Sequence, residues 1–454
     1  MLSPRPAPPQ FREQAPKPLA DIVRAGKRFV SHKSGIIKGI FEQSVEQDDP
    51  PIFSFGTLIS NTSRYSAHQC STRSGGAGLT RHQAFAAAIG EAIERYCSNF
   101  YNPEELLLCG YHELPEEGVS PESFVLFSER QYSQESFPFQ RFTRTSSICW
   151  TRGYSLVDQR WKFVPACFVF LPYAFQTGET PIGPTISTGL ACATSVEEAI
   201  LLGIYECIER DAFTIMWLNK LSMPLVKNIT SDVQIGDLCR RKFYASNIDY
   251  SICDITSDIE IPTFYTLALG NSTEGWLACV GSATRLNGRE AITKTLIEAS
   301  QGRQYLRYVL REEQEWDCGN NFCNVRSFDD HARLYSSMPE LTDRLLFARE
   351  GQERQVCEIG NFSTGRVVED INLCVKKLAE KGFDVIIADV TTREVATVGF
   401  SVVRVIIPGL QPLHGDHNLR FLGGKRLYQV PRRLGFTDSD TKEEDLYPWP
   451  HPFP

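Results

Sequence analysis

Two short acidic motifs in this chain share the pattern Glu-x-x-Glu-Arg. The motif residues are Glu91, Glu94 and Arg95 in the first copy and Glu206, Glu209 and Arg210 in the second. In an α-helix, positions i, i+3 and i+4 share one face, so each motif presents two carboxylates beside one guanidinium. A single motif of this kind is usually a solvated pair on a helix surface, where it contributes roughly a few tenths of a kcal/mol.

The helices that carry the motifs are predicted at residues 81–100 and 196–220. Thr80 and Ser195 are the predicted N-caps, and Glu198 is predicted to close a capping box with Ser195. Both segments are apolar around most of their circumference, which indicates buried helices rather than surface ones. The repetition favours a duplication or two similar half-sites over a chance match.

Buried carboxylates need cations, and the two motifs supply only two arginines for their four glutamates. Glu198 lies about two turns before Glu206, close enough to the same face to join the group. Divalent cations with oxygen ligands would supply the missing charge, and Mg²⁺ usually binds a few carboxylates together with phosphate oxygens. The sequence contains no GxxxxGK[ST] motif. These residues therefore predict a magnesium–nucleotide site that is built without a P-loop.

Glycine-rich stretches precede both acidic helices, at residues 74–78 and 187–191. Backbone N–H groups at a helix start can bind anions, although a flexible turn explains either stretch alone equally well. Their shared placement favours contact with phosphate. A third helix, predicted at residues 289–314, carries Gln301 and Arg303. These two residues are two positions apart and share no narrow face, so they either flank a pocket or belong to an ordinary amphipathic helix.

The remaining elements predict a mixed α+β or α/β layered fold. Strands are predicted at residues 162–173, 251–256, 263–269, 276–284, 384–390 and 402–407, and a further helix at residues 369–381. Residues 1–52 are predicted to form a Pro-rich arm and a polar linker, with a short helix at residues 19–28. The folded domain is predicted to occupy residues 53–454.

Composition excludes several classes of function. The net charge of -8 argues against nonspecific binding of nucleic acid or of an anionic membrane surface, because both require basic surface. The N-terminus has no apolar signal region, and the longest nearly apolar run, residues 163–175, is too short to span a bilayer. The 14 cysteines show no zinc-ligand spacing and fit reduced thiols in the cytoplasm.

Other chemistries have no sequence support. There is no GxSxG motif, and no serine, cysteine or histidine is marked as a nucleophile. The eight histidines are dispersed along the sequence. His414 and His417 follow Pro408-Gly409, and we expect them to bind solvent or backbone rather than a metal.

Several of these segments resemble the YcaO family in the same order along the chain. The matching segments are AIGEAIERY at 88–96, STGLACATSVEEAILLGIYECIERDAF at 187–213, GSATR at 281–285, EASQGR at 298–303 and VVRVIIPGLQPLH at 402–414. The resemblance runs from about Ser74 to the end of the chain. It implies a YcaO fold that binds ATP and Mg²⁺.

The resemblance also implies roles for individual residues. The implied magnesium ligands are Glu91, Glu94, Glu206 and Glu209. The residues implied to contact the nucleotide or organise the site are Arg95, Glu198, Arg210, Gln301 and Arg303. Two positions depart from the pattern of many members, which have lysine where this chain has Ala77 and serine where it has Ala87. Both departures put the phosphate contacts of the first glycine-rich stretch in doubt, and neither changes a carboxylate.

The chain ends with Pro450-His-Pro452-Phe-Pro454. This end resembles the PxPxP tail of azoline-forming YcaO proteins, the cyclodehydratases of thiazole/oxazole-modified peptide pathways. Alternating prolines favour a stiff extended segment, so the tail is predicted to reach the active site. The terminal carboxylate of Pro454 is then the predicted catalytic base. The alternative is a disordered Pro-rich end.

The implied reaction begins when a Cys, Ser or Thr side chain of a peptide attacks the preceding backbone carbonyl. ATP phosphorylates the resulting oxyanion, and loss of phosphate leaves a thiazoline or (methyl)oxazoline. The implied partners are a ribosomal precursor peptide, a separate E1-like leader-peptide-binding protein and a flavin-dependent dehydrogenase. A separate leader-binding protein is expected because little folded sequence precedes the predicted domain, and a homodimer is left open.

Two other functions compete with this interpretation. The first is backbone thioamide synthesis, which uses the same amide activation with sulfide as the nucleophile. A TfuA-like partner would favour it, whereas the proline tail argues against it. The second is a nucleotide-binding scaffold that supports a partner enzyme.

Overall fold

The computed structural model describes residues 7–66, 68–312 and 315–454. Within these ranges the chain forms ten α-helices, which are α1 (Leu19–Gly26), α2 (Arg81–Cys97), α3 (Glu129–Tyr132), α4 (Val196–Leu218), α5 (Gly236–Lys242), α6 (Gly288–Glu312), α7 (Phe328–Ser337), α8 (Val367–Glu380), α9 (Arg393–Val398) and α10 (Lys425–Arg433). The strands are β1 (Ile37–Glu42), β2 (Phe53–Ile59), β3 (Arg73–Gly78), β4 (Leu107–Cys109), β5 (Ile148–Ser155), β6 (Arg160–Pro165), β7 (Leu190–Ala193), β8 (Leu225–Lys227), β9 (Asp249–Asp254), β10 (Thr263–Ser272), β11 (Gly275–Thr284), β12 (Glu353–Gln355), β13 (Ile386–Asp389) and β14 (Ser401–Ile406).

The strands form three sheets. A three-stranded sheet has the order β1-β2-β3, and a five-stranded sheet has the order β11-β10-β9-β8-β12. The third sheet has the order β4-β5-β13-β14-β7, with β6 paired to β5. Pairing is antiparallel except between β12 and β8. Helices cover these sheets, which confirms the predicted mixed α/β fold.

Three long helices connect the sheets and position the acidic motifs. Helix α2 packs on the three-stranded sheet and on β7. Helix α4 also packs on β7, and it lies between β14 of the six-stranded sheet and β11 of the five-stranded one. Helix α6 packs on β10 and β11 and reaches β3. Because α4 has a sheet on two sides, its apolar circumference is explained by burial.

Both acidic helices begin at the predicted N-caps. The Thr80 hydroxyl accepts a hydrogen bond from Gln83 N, and the Gln83 side chain completes a capping box. The Ser195 hydroxyl accepts from Glu198 N at 3.1 Å. The Glu198 carboxylate, however, accepts from the Thr194 hydroxyl at 3.0 Å instead of closing the predicted box with Ser195. Each cap satisfies backbone donors that the first helical turn leaves without partners.

Several predicted boundaries differ from the structure. The strand predicted at residues 162–173 ends at Pro165 and continues as a 3₁₀ turn, because proline has no N–H to donate to a sheet. The polar linker predicted before residue 53 contains β1, which pairs with β2. Helix α2 ends at Cys97 rather than at residue 100, and residues 313–314 at the predicted end of α6 lie outside the described ranges.

None of the helices in the described ranges combines the length and the apolar character that crossing a bilayer requires.

Candidate active site

Both acidic motifs face one cavity of about 1620 Å³. The predicted site residues that line it are Glu91, Glu94, Arg95, Glu206, Glu209, Arg210, Gln301 and Pro454. The two glycine-rich stretches also line it. Helices α2 and α4 are far apart in sequence, and their shared contact with β7 brings the motifs together.

The first motif is organised by its own arginine and by a glycine amide. Arg95 Nη2 lies 3.6 Å from Glu91 Oε1, and Arg95 Nη1 lies 3.4 Å from Glu94 Oε1. Gly75 N donates a hydrogen bond to Glu91 Oε2 at 3.0 Å. The guanidinium therefore lies between two carboxylates, one of which is fixed by the glycine-rich stretch.

The second motif repeats this geometry. Arg210 Nη2 lies 3.6 Å from Glu206 Oε1, and Arg210 Nη1 lies 3.1 Å from Glu209 Oε1. Gly189 N donates to Glu206 Oε2 at 3.2 Å. Glycine is required at this position, because its φ is +83° and an added Cβ would lie 2.1 Å from the carbonyl oxygen of Val405. The glycine-rich stretches thus orient the acidic residues as well as lining the cavity.

The two motifs together hold four carboxyl groups but only two guanidinium groups. Burial raises the pKa of Glu94 to about 8 and that of Glu209 to about 8, with the neighbouring carboxylates adding to the effect. Among the described residues, neither Arg95 Nη1 nor Arg210 Nη1 has a hydrogen-bond partner, although each lies close to a carboxylate. Buried acids that retain protons beside arginines with unused donors form a site suited to a divalent cation with an anionic ligand.

Arg404 is a buried cation near the two motifs that the sequence analysis did not predict. It is fully buried on β14, and its Nε and Nη1 donate to the carbonyl oxygens of Val169 and Thr188 at 3.1 and 2.9 Å. Burial lowers its pKa to about 10, while Glu206 and Glu94 act in the opposite direction. The available signal was an arginine inside the apolar run VVRVII, since a buried cation needs nearby acids.

Two predicted site residues lie away from the cavity wall. The Glu198 carboxylate bonds to the Thr194 hydroxyl at the start of α4. Arg303 is 0% exposed and pairs with Asp49, with Nε and Oδ1 3.1 Å apart. Its Nη2 donates to the carbonyl of Asn271 at 2.8 Å. This position does not support a direct nucleotide contact by Arg303, and its role in organising the site stays a prediction.

The C-terminal tail, residues 449–454, is packed into the protein and ends at the cavity. Trp217 Nε1 donates to the carbonyl of Trp449 at 2.9 Å, and the Tyr335 hydroxyl donates to the carbonyl of Pro450 at 2.6 Å. The ring of Phe453 is buried, and its centroid lies 4.2 Å from the Arg210 guanidinium. The alternative of a disordered end is therefore wrong. The catalytic role of Pro454 stays a prediction.

The eight histidines are dispersed along the sequence, but the fold gathers four of them beside the tail. These are His331, His414, His417 and His451, all of them buried. The expectation that His414 binds solvent or backbone rather than a metal stays a prediction. Its ring is 2% exposed, and neither ring nitrogen has a hydrogen-bond partner in the part of the chain that the structure describes.

A family model described as YcaO cyclodehydratase, ATP- and Mg²⁺-binding, matches residues 75–411, which is most of the chain. The chain belongs to the YcaO family. The ATP and Mg²⁺ in the description of the family fit the observed cavity. There, acids with raised pKa values lie beside arginines that have unused hydrogen-bond donors.

Two proteins of similar sequence are uncharacterized. One, from Methanothermobacter thermautotrophicus, is 29% identical over 345 residues, which cover 75% of this YcaO chain and 82% of the relative. The other is described as an uncharacterized protein in the tfuA 3' region of Rhizobium leguminosarum bv. trifolii. It is 24% identical over 274 residues, which cover 58% of this chain and 61% of that protein.

Solved structures share the fold. A heterocyclase in complex with substrate and cofactor has a TM-score of 0.80 at 23% identity, and the match covers 98% of this chain but 59% of that one. The YcaO protein of Methanopyrus kandleri bound with AMPPCP and Mg²⁺ has a TM-score of 0.61 at 18% identity, over 87% and 92% of the two chains. A chain of the E. coli microcin synthetase McbBCD complex has a TM-score of 0.52 at 16% identity, over 82% and 87%. This chain therefore spans little more than half the length of the heterocyclase.

Proposed function

We propose that this YcaO protein is an ATP- and magnesium-dependent cyclodehydratase, which converts Cys, Ser or Thr residues of a ribosomal precursor peptide to thiazoline or (methyl)oxazoline rings. One observation carries the proposal: the two Glu-x-x-Glu-Arg motifs and the C-terminal Pro454 line the same cavity. That arrangement supports the proposal, because the two motifs and the chain terminus share one chamber. The family model and the heterocyclase of the same fold support it.

The proposal assigns a task to each group of residues. Glu91, Glu94, Glu206 and Glu209 hold Mg²⁺, while Arg95, Arg210 and Gln301 bind and orient the nucleotide phosphates. Bound Mg·ATP supplies the phosphoryl group that turns an amide oxygen into a leaving group. The carboxylate of Pro454 takes the proton from the attacking side chain, and the walls of the cavity limit access of water to the activated amide.

The proposed partners follow from the chemistry of the substrate. A separate E1-like protein binds the leader of the precursor peptide, and a flavin-dependent dehydrogenase oxidises the azolines to azoles. The microcin synthetase of the same fold is a complex of several proteins, which supports an assembly of this kind. We also propose a cytoplasmic location and a catalytic domain of residues 53–454, preceded by an N-terminal segment, residues 1–52, whose strand β1 joins the sheet of that domain. A homodimer is left open.

The test combines the chain with Mg·ATP and the precursor peptide encoded beside its gene, with and without the leader-binding partner. Phosphate release and peptide mass are followed together. We expect loss of one water mass and release of one phosphate per ring, at a rate that the partner raises greatly. Rings that form without ATP turnover would contradict the proposal. Fast leader-dependent cyclisation by the isolated chain would contradict the need for a partner.

A backbone thioamide synthase is the second candidate, because one relative is a protein of the tfuA 3' region. The same mass measurement separates the two, since exchange of oxygen for sulfur raises the peptide mass whereas cyclisation lowers it. The assay is therefore repeated with sulfide present. A nucleotide-binding scaffold would show ATP binding without a change in peptide mass.

A further inference from the structure

Three buried histidines form a cluster at the C-terminal tail. His331 lies on α7, His414 lies in the segment between β14 and α10, and His451 belongs to the tail itself. The rings of His331 and His451 stack with their centroids 3.7 Å apart and their planes 5° from parallel. The ring of His414 meets the His451 ring edge-on, at 4.7 Å and 73°.

Hydrogen bonds link this cluster to the tail backbone. His331 Nδ1 lies 2.8 Å from the carbonyl oxygen of His451, so this nitrogen carries a proton and donates it. Phe453 N donates to His451 Nδ1 at 3.2 Å. His451 must therefore carry its proton on Nε2, which donates to the carbonyl of His414 at 2.8 Å. This network requires a neutral imidazole at His451.

The surroundings of the cluster favour the neutral form. The charged groups that face it are Arg210 and Arg420, with Asp330 acting on His331. Burial is the main cause that lowers the pKa of His331 to about 4. A proton on any of these rings would add positive charge beside the arginines, so the hydrogen bonds persist at neutral pH.

A metal ion does not fit this arrangement. One nitrogen from each ring lies within 4.8 Å of the others, which is close enough for three ligands of one transition metal ion. A ligating nitrogen points its lone pair in the plane of its ring, so the parallel rings of His331 and His451 cannot both aim at one ion between them. His451 also uses both nitrogens in hydrogen bonds.

The cluster determines where the tail ends. Beyond His451, the ring of Phe453 packs on Phe213 with a centroid distance of 5.0 Å and covers the Arg210 guanidinium. Pro454 then lines the cavity that contains Glu206 and Glu209. Only the three proline-rich residues 452–454 connect the stacked rings to the cavity. A shift at His451 is therefore transmitted to the terminal carboxylate.

We propose that His331, His414 and His451 form a histidine latch that positions the Pro454 carboxylate for ring formation. The inference rests on the proposed function, and it makes His331 and His414 positioning residues rather than catalytic ones. A misplacement of about 1 Å at a reacting group costs on the order of 100-fold in rate, so small displacements of the tail have large effects. Binding of Mg·ATP depends on the acidic helices and does not require the latch.

The test compares His331→Ala with His331→Asn, because asparagine retains an N–H that can reach the His451 carbonyl. Exposed His112→Ala is the matched control. Hydrogen exchange of the C-terminal peptide, affinity for Mg·ATP and the steady-state constants for the precursor peptide are measured for each variant. We expect His331→Ala to speed exchange at the tail and to lower kcat for ring formation at least about tenfold. Its affinity for Mg·ATP should stay within about twofold, and His331→Asn should recover most of kcat.

Other outcomes would overturn the inference. Equal losses in the two His331 variants would show a merely structural role, and so would a parallel loss of Mg·ATP affinity. Tyr335→Phe, which removes only the hydrogen bond to Pro450, gives a second and milder perturbation if His331→Ala does not fold. If the purified chain contains one zinc ion and His414→Ala contains none, the three histidines form a metal site and the latch is wrong. If the wild-type chain forms no ring, the proposed function fails, while the exchange measurement still decides whether His331 holds the tail.

Discussion

The two acidic motifs have the same sequence pattern but lie in different surroundings. In each motif a glycine amide fixes the first glutamate, and the arginine lies between both carboxylates. In the second motif Glu209 also accepts a hydrogen bond from Thr284 N at 3.3 Å, and Phe453 covers Arg210. Among the described contacts, no aromatic ring covers Arg95. The side chain of Glu209 is 9% exposed against 15% for Glu94.

This difference arises from the elements behind each helix. Helix α2 packs on the small three-stranded sheet, whereas α4 lies between two larger sheets and beneath the tail. A repeated motif can therefore supply two similar pairs of carboxylates while, among the described contacts, only one pair lies against the C-terminal tail. We call each motif with its helix one half of the site. We infer that the two halves share the binding of Mg·ATP and that only the second half responds to changes in the tail.

The largest expected effect tests the shared task. Glu94→Gln and Glu209→Gln should each lower ATP consumption on the order of 1000-fold, because each removes charge that the metal and phosphates need. Circular dichroism and thermal unfolding should show a retained fold, since glutamine has nearly the same shape. Near-normal turnover in both variants would refute the site. A large loss in only one of them would show that the two halves are not equivalent in binding.

The second prediction sharpens the difference between the halves. Removal of Pro454, or extension of the chain beyond it, should lower ring formation about 100-fold, the usual contribution of a positioned base. Affinity for Mg·ATP should change less than about twofold, because the glutamates and arginines remain. Titration calorimetry and peptide mass spectrometry on the same samples provide the comparison. Equal cyclisation by intact, truncated and extended chains would remove the tail from the mechanism.

The third prediction uses the raised pKa of one glutamate in each half. Glu94 and Glu209 have a pKa of about 8 in the folded chain without metal, against an ordinary value of 4.5. The folded chain therefore retains protons that the unfolded chain releases, so its stability should fall as pH rises from about 5 to about 8. Bound Mg²⁺ requires both carboxylates ionised, so its affinity should rise with pH through the same window, roughly tenfold per unit for each proton released.

Thermal unfolding and magnesium titrations across this pH range check both signs. Glu94→Gln and Glu209→Gln serve as controls, because each should remove half of the dependence if the halves are equivalent. A pH-independent affinity for Mg²⁺ would mean that neither carboxylate binds the metal.

The smallest effect concerns the aromatic cover of Arg210. Phe453→Leu removes a cation–π contact worth about 0.5–2 kcal/mol, while leucine still fills part of the buried space. Ring formation should therefore fall about 2- to 30-fold. Affinity for Mg·ATP should change less, because Phe453 covers Arg210 but not Arg95, so the substitution leaves the first motif intact. Phe436→Leu, at a partly exposed ring away from the cavity, is the matched control. If Phe453→Leu lowers the rate of ring formation and the affinity for Mg·ATP by the same factor, the two halves are coupled.

Much of the site could be predicted because helix spacing is a local property. The shared face of Glu91, Glu94 and Arg95 follows from 3.6 residues per turn, and the N-caps Thr80 and Ser195 lie directly beside the helices they start. The excess of carboxylates over arginines follows from the sequence as well. These local features were sufficient to predict a phosphate and magnesium site and the mixed α/β fold.

Tertiary structure alone decided which distant residues joined that site. His331 and His451 are 120 positions apart, and no local pattern marks them as partners. Arg404 is near the acids because α2 and α4 both contact β14, whereas Arg303, two positions from Gln301, lies off the cavity wall and pairs with Asp49. Neighbours along a helix point in different directions, and contacts between distant segments depend on how sheets and helices pack. The sequence by itself therefore determined the chemistry available to this protein, and the packing of its sheets determined where that chemistry converges.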